Sequence, residues 1–176
     1  MRNIKGISWV FYLISGAKWS KAKRMKLCLF LISMSFTLPA QALNWKLFGA
    51  CDNHPLLAGQ FEADLSKSVG QLSVELFERE GIAYVGSAEG MNSILKSPTG
   101  LEAIEVVSDR EMRVYGWCFA VNGRSPKLMP HQVFLQKQSD TVVWYQAYST
   151  NKDNEWVDYC TPAYWQKPAQ LCSSRP

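Results

Sequence analysis

Histidine is scarce in this chain: only His54 and His131 occur among 176 residues. Two imidazoles are few for acid–base chemistry, which uses histidine more than any other side chain. The common catalytic signatures are missing too. There is no Gly-x-Ser-x-Gly, no His-Glu-x-x-His, no phosphate loop and no dinucleotide fingerprint. An enzyme is therefore not expected, and a hydrolase working through a carboxylate pair is kept only as an alternative. Repeats and low-complexity blocks are absent. Charged residues make up just 19% of the chain against 47% apolar ones, which excludes bulk disorder.

Acidic residues are missing from the first 42 positions, which carry seven of the 19 Lys and Arg. The remainder, 43–176, thus holds twelve basic and fifteen acidic residues, a net of −3. The basicity belongs to the N-terminal segment. Nucleic acid is not an expected partner, because that would need a basic footprint on the folded body.

A long hydrophobic run is also lacking. Leu27 to Leu38 is mostly apolar and uncharged, but as a helix it would span only about 18 Å against a hydrocarbon core of about 30 Å. It follows the cationic Lys21-Ala22-Lys23-Arg24-Met25-Lys26 and precedes Pro39-Ala40-Gln41-Ala42. Charge, apolar run and small residues at −3 and −1 make up a secretory signal peptide, expected at 1–42 and cut after Ala42. No stable membrane anchor is expected after cleavage. A signal of this length exceeds the usual 15–30 residues, so Met25 is an alternative start. Cys28 lies inside the run, away from a lipoprotein cut site.

Removing Cys28 leaves Cys51, Cys118, Cys160 and Cys172. An even count in an exported chain reads as disulfides, and the expected location is periplasmic or secreted. Three pairings are possible and spacing does not choose among them. The reading favours Cys51–Cys172, tying the two ends, with Cys118–Cys160 joining a strand to the C-terminal loop. The closest cysteines, Cys160 and Cys172, are too far apart in sequence for a close zinc-ligand pair, and no metal is expected.

The mature part reads as one domain. Leu43 to Ala58 is an irregular lead-in, with Asn53-His54-Pro55 a turn. Phe61 to Leu65 alternates like a first strand. Ser68 to Glu80 is the best helix, capped by Ser68, with Leu72, Leu76 and Phe77 on one face and Gly81 at its end. Its acidic residues read as a solvated face. Short strands are expected at Ile82–Val85, Met91–Leu95 and Leu101–Val107. Glu111 to Val121 is the most strand-like run, apolar on both faces and so read as central. Gly116 within it implies a close approach or a bend. Asn122-Gly123 turns the chain. The partner strand is expected at Gln132–Gln136, and Thr141 to Tyr148 follows as a second buried strand. One helix on a mainly antiparallel sheet is an α+β inventory, and a small disulfide-braced β-grasp-like domain fits it.

The run Tyr115-Gly116-Trp117-Cys118-Phe119-Ala120-Val121-Asn122-Gly123, with Asp140-Thr141-Val142-Val143-Trp144-Tyr145 downstream, resembles the DUF4430 family, the transcobalamin-like C-terminal domain. Val69–Phe77 is similar to its helix and Gly90–Ile94 to its glycine-containing strand. The resemblance covers about residues 61–150. Where that family has an Asp-Gly-Asp turn, this chain has Gln138-Ser139-Asp140, and the tail from Trp156 to Cys172 extends beyond the common core. The resemblance implies a β-grasp-like fold, export and non-covalent binding, with no catalytic residues. No cofactor is expected.

Seven aromatics fall between 144 and 165: Trp144, Tyr145, Tyr148, Trp156, Tyr159, Tyr164 and Trp165. Aromatics beside polar turns suit planar ligands, sugars or a protein hot spot. The expected role is an exported binding module of the bacterial envelope. Its ligand is a small molecule, such as a corrinoid or sugar, or an envelope protein. The candidate contacts are Trp117, Asn122, Tyr145 and Trp156. The alternative is a structural or interaction subunit of an envelope assembly.

Overall fold

A computed structural model describes residues 42–172. The leader, the alternative start at Met25 and the uncharged run at 27–38 lie outside the described residues. No helix among the described residues is long and apolar enough to cross a membrane.

The chain forms β1 (Leu43–Phe48), β2 (Pro55–Phe61), helix α1 (Val69–Arg79), β3 (Tyr84–Ser87), β4 (Gly90–Ile94), β5 (Ile104–Ser108), β6 (Glu111–Val121), β7 (Thr141–Lys152), β8 (Glu155–Trp156), β9 (Thr161–Pro162) and a short helix α2 (Ala169–Cys172). The main sheet runs β2-β1-β7-β6-β5, with β8 and β9 also on β7, while β3 and β4 pair separately. This is an α+β domain with one main helix. The sheet is mixed, because β1 runs parallel to β7. Its other pairings are antiparallel, and the parallel pair arises because β1 is a regular strand and not an irregular lead-in.

Strand β7 organises the sheet. Along one edge it pairs with β6 without a break, from Glu111↔Lys152 to Val121↔Val142. Along the other edge three partners take turns: β1 opposite Thr141–Tyr145, β9 opposite Ala147 and Tyr148, and β8 opposite Asn151 and Lys152. Backbone groups of a central strand need partners on both sides, and here the C-terminal tail supplies them where β1 ends.

Helix α1 starts where the capping chemistry says it should. Ser68 accepts from the Gln71 N–H, and the Gln71 side chain accepts from the Ser68 N–H, a reciprocal capping box. Val69, Leu72, Leu76 and Phe77 are buried at helical spacing against Leu43, Trp45, Leu47, Phe119, Val142 and Trp144. Each such side chain contributes roughly 1.5–3 kcal/mol on burial. The Trp144 indole N–H donates to Ser73 Oγ at 2.9 Å, which fixes the helix to the sheet. Gly70 is required there, because a Cβ would fall on the Ala88 carbonyl oxygen.

Several local expectations are corrected. The segment 43–58 is a hairpin, and its signal was the alternation of buried Leu43, Trp45 and Leu47 with outward Asn44 and Lys46. Phe61 ends β2 and does not begin a strand. The alternation continues through Ala63 because the Gln138 side chain bonds both its N–H and its carbonyl, standing in for a partner strand. Gln132–Gln136 is not the partner of β6. That segment makes a 3-10 turn at Pro130–Gln132, and the Val133 carbonyl accepts from the Val69 N–H at 2.7 Å. It satisfies an otherwise orphaned donor at the start of α1. Leu101 lies in a 3-10 turn, so β5 begins only at Ile104.

Both favoured disulfides are present. Cys51 and Cys172 have Cα atoms 5.4 Å apart, and Cys118 and Cys160 5.8 Å apart, within the usual range for a bridge.

Candidate ligand groove

Side chains of a strand point alternately to opposite faces of its sheet. Phe119 and Trp144, opposite one another in the register, face α1. Trp117, two residues from Phe119, therefore also belongs to this front face. Tyr145, one residue from Trp144, belongs to the back face with Cys118, its register partner. Trp117 and Tyr145 thus lie on opposite sides of the sheet.

The Trp117 indole N–H donates to Ser97 Oγ at 2.7 Å. Tyr145 is buried among Ala120, Ala147 and Cys160, and its hydroxyl donates to the Cys160 carbonyl at 3.2 Å. Asn122 sits at the end of β6 with φ +51°. Its Nδ2 donates to Asp140 Oδ1 at 3.0 Å and its Oδ1 accepts from the Thr141 N–H at 2.9 Å. Both ends of that amide are engaged in joining β6 to the start of β7. Asp140 Oδ2 also accepts from the N–H groups of Gln136 and Lys137. Burial pushes the Asp140 carboxyl up, but these hydrogen bonds outweigh it and hold it below its ordinary value. Spacing along the strand could not show that the four candidate contacts would be separated in this way. Of the four, Trp156 and Trp117 line one cavity.

That cavity is a groove of about 300 Å³ on the back face. Its floor is Gly116, where an added Cβ would meet nothing within 4 Å. The expectation of close packing or a bend at Gly116 is thus corrected: the missing side chain leaves space. Val114 and Ser149 flank the floor, and Trp156 and Tyr159 stand beside it. These two rings are 43% and 71% exposed, so they have not been spent on the core.

The tail places them by local rules. Asp153 and Asn154 adopt φ +50° and +67°, the left-handed pair that a two-residue hairpin needs and that Asp and Asn tolerate. β8 then returns along β7, with Trp156 opposite Asn151 and the Val157 N–H on the Thr150 carbonyl. Cys160 is bonded to Cys118 on the strand beneath. Tyr159 stood in the sequence as one of the tail aromatics. Its adjacency to a bridged cysteine is the signal that would have singled it out.

A second polar cluster closes on itself. Tyr115 Oη donates to Glu105 Oε2 at 2.5 Å, and Arg113 bridges Glu105 and Glu111 at 3.3 and 3.4 Å. Burial, then the Glu105 carboxylate, pushes the Tyr115 hydroxyl far up. A phenol held protonated in this way serves as a structural donor. Among the described residues no group of three or more His, Cys, Asp or Glu is placed to hold a metal ion.

No family's sequence profile matches the chain, and no curated protein matches it. Among solved structures it is similar to a protein of Ruminococcus gnavus ATCC 29149 to which metal binding has been ascribed. The TM-score is 0.40 at 12% identity, over 60% of this chain and 95% of that one.

Proposed function

We propose that the protein is an exported, non-catalytic binding module whose ligand seat is the groove over Gly116. The observation that carries this reading is the empty floor beside two exposed aromatic rings. Trp156 and Tyr159 give a ring-shaped or planar ligand, a sugar or a corrinoid edge, apolar faces beside the Ser149 hydroxyl. Export is supported by the leader pattern of residues 21–42 and by two disulfides, which persist in oxidising compartments. The β-grasp-like fold and kinship with the transcobalamin-like family belong to the same reading. Their support is the order of the parts: a first hairpin, a helix laid across the sheet, and the late strand β7 parallel to β1 at its centre.

Tryptophan fluorescence titration of the disulfide-intact protein with corrinoids and with neutral sugars tests the proposal. Saturable quenching is expected, abolished by Gly116→Leu and weakened roughly tenfold by Trp156→Ala, about the worth of one aromatic stack. Absence of a response to every ligand, or an unchanged affinity in both variants, rules the groove out.

A specific observation favours a second reading, docking onto an envelope protein. Leu128, Met129 and Phe134, in the connection between β6 and β7, are each more than half exposed. Crosslinking from Leu128 to a single envelope protein, with no small-molecule response, would select it.

A further inference from the structure

The front face carries a cavity that the groove does not explain. It lies between the chain following β4 and the C-terminal segment, has a volume of about 440 Å³, and is walled on one side by the Cys51–Cys172 bridge. Gln146 and Trp117, register partners across β6 and β7, line it together with Ser97.

Gln146 is the informative residue. It is 8% exposed, in the middle of the central strand; its amide makes no hydrogen bond to another described residue, and its polar atoms stay open to the cavity. Among the described residues most other buried polar side chains are served; the exceptions are the Thr150 hydroxyl and the Trp45 indole nitrogen, the latter closed off from solvent as well. Ser68 is in the capping box, Ser73 receives the Trp144 indole, Ser93 donates to the Ser97 carbonyl, and Asp140 accepts from three groups. The amide is solvated through the cavity it lines, at a strand position where a sheet interior would favour an apolar residue. The amide lines a space large enough for a sugar-sized ligand. It offers one donor edge and one acceptor edge side by side.

The surroundings narrow the chemistry. The charged residues lining the cavity are Asp52 and Lys96, one of each sign and both exposed. There is no net charge to select an ion. Leu95, Leu171 and the Trp117 ring supply apolar surface. Ser97 Oγ already accepts the Trp117 indole N–H at 2.7 Å, which holds the loop after β4 against the sheet. The cavity is therefore neutral, half apolar, and has an unpaired donor–acceptor edge at Gln146.

We propose that this cavity binds a neutral saccharide through a hydroxyl pair or an acetamido group, with the Gln146 amide giving one hydrogen bond and accepting another. The site is separate from the groove over Gly116 and does not depend on it. Gln146 acts as a binding residue and Ser97 as a positioning residue, through the Trp117 ring.

The test is ¹H–¹⁵N NMR of the disulfide-intact protein with the Gln146 side-chain NH₂ assigned. The probes are N-acetylglucosamine and cellobiose, with glucosamine and glucuronate as cationic and anionic controls. A neutral sugar is expected to shift the Gln146 NH₂ resonances saturably below about 10 mM, the range of a weak Kd near 1 mM. Gln146→Leu is expected to weaken that sugar at least about tenfold, the worth of roughly one hydrogen bond. Trp156→Ala should leave it unchanged, which separates failure here from failure of the groove. Should Gln146→Leu not fold, the wild-type NH₂ titration decides alone. Unshifted NH₂ resonances with every probe, a shift with the charged sugars only, or equal binding by a folded Gln146→Leu protein would each overturn the assignment, leaving Gln146 a water-solvated amide only.

Discussion

Helix α1 covers the front of the main sheet around Trp144, and the stretch around Tyr159 and Cys160 covers the back. On the front, Phe77 is fully buried against Trp144 and Tyr84, with ring centroids 6.4 and 5.6 Å apart. Helix α1 brings four buried apolar side chains to that face on one rigid cylinder. On the back, the buried residues are mostly small, Ala120 and Ala147 around Tyr145, and the cover is the short stretch around Tyr159 and Cys160. A tail of irregular backbone loses much conformational entropy for few apolar contacts. The Cys118–Cys160 bond makes up the difference by confining the tail before it folds. Around Trp144 packing alone holds the cover, whereas the cover of the back depends on the Cys118–Cys160 tether and leaves the floor at Gly116 open.

The largest effect that would sharpen this contrast is on the front. Phe77→Ala should cost about 3–5 kcal/mol, read as a fall in urea midpoint, because it opens a cavity that the helix cannot close. On the back, replacing Cys118 and Cys160 together by Ala should cost about 2–4 kcal/mol. It should also free Trp156 and Tyr159, seen as faster proteolysis of 153–162 while the rest of the domain stays protected from hydrogen exchange. Equal loss of protection on both faces would break the comparison.

At the end of the sheet where the faces meet, Asp140→Ala should cost roughly 2 kcal/mol, since hydrogen bonds to a charged acceptor are lost. This residue also sets an acid limit. Its folded carboxyl lies below the ordinary 3.8. As pH falls the unfolded chain takes up the proton first. The stability it contributes is therefore complete above the unfolded value and disappears as pH drops through the folded one. Denaturation midpoints measured from neutrality down past 3.8 should show that loss in the wild type and a flatter slope in Asp140→Asn.

Tyr145→Phe should cost about 1 kcal/mol, one hydrogen bond to the Cys160 carbonyl. The smallest effect has the opposite sign. Gly116→Ala should stabilise the protein by roughly 0.5 kcal/mol, because glycine weakens a strand and nothing obstructs a Cβ there. A stabilised variant with impaired binding would show that glycine is retained for the ligand's space.

Much of the fold could be read from the residues. Helix α1 declared both its ends, through the Ser68 cap and the glycine that follows. The eleven residues of β6 stand out because eight of them are apolar or aromatic. What misled was pairing. Gln132–Gln136 has strand-like composition, yet the Val133 carbonyl serves a helix terminus, a long-range use that no local pattern records. Six-residue β1 gives a weak signal because its alternation is short and follows the expected leader. For the site, composition pointed to the aromatic tail and the cysteines. It could not show that residue parity sends Trp117 and Tyr145 to opposite faces, or that Asn122 is engaged by Asp140. Gln146 looked like one more strand residue, since only its burial and the space beside it set it apart.

The bond between Cys51 and Cys172 spans a sequence separation of 121 and turns almost the whole domain into a closed loop. A protease that severs any single peptide link inside this loop releases no fragment. The nicked protein would migrate at full size until reductant is added, and a pulling force applied at the two ends would be borne by sulfur and never reach the strands between them.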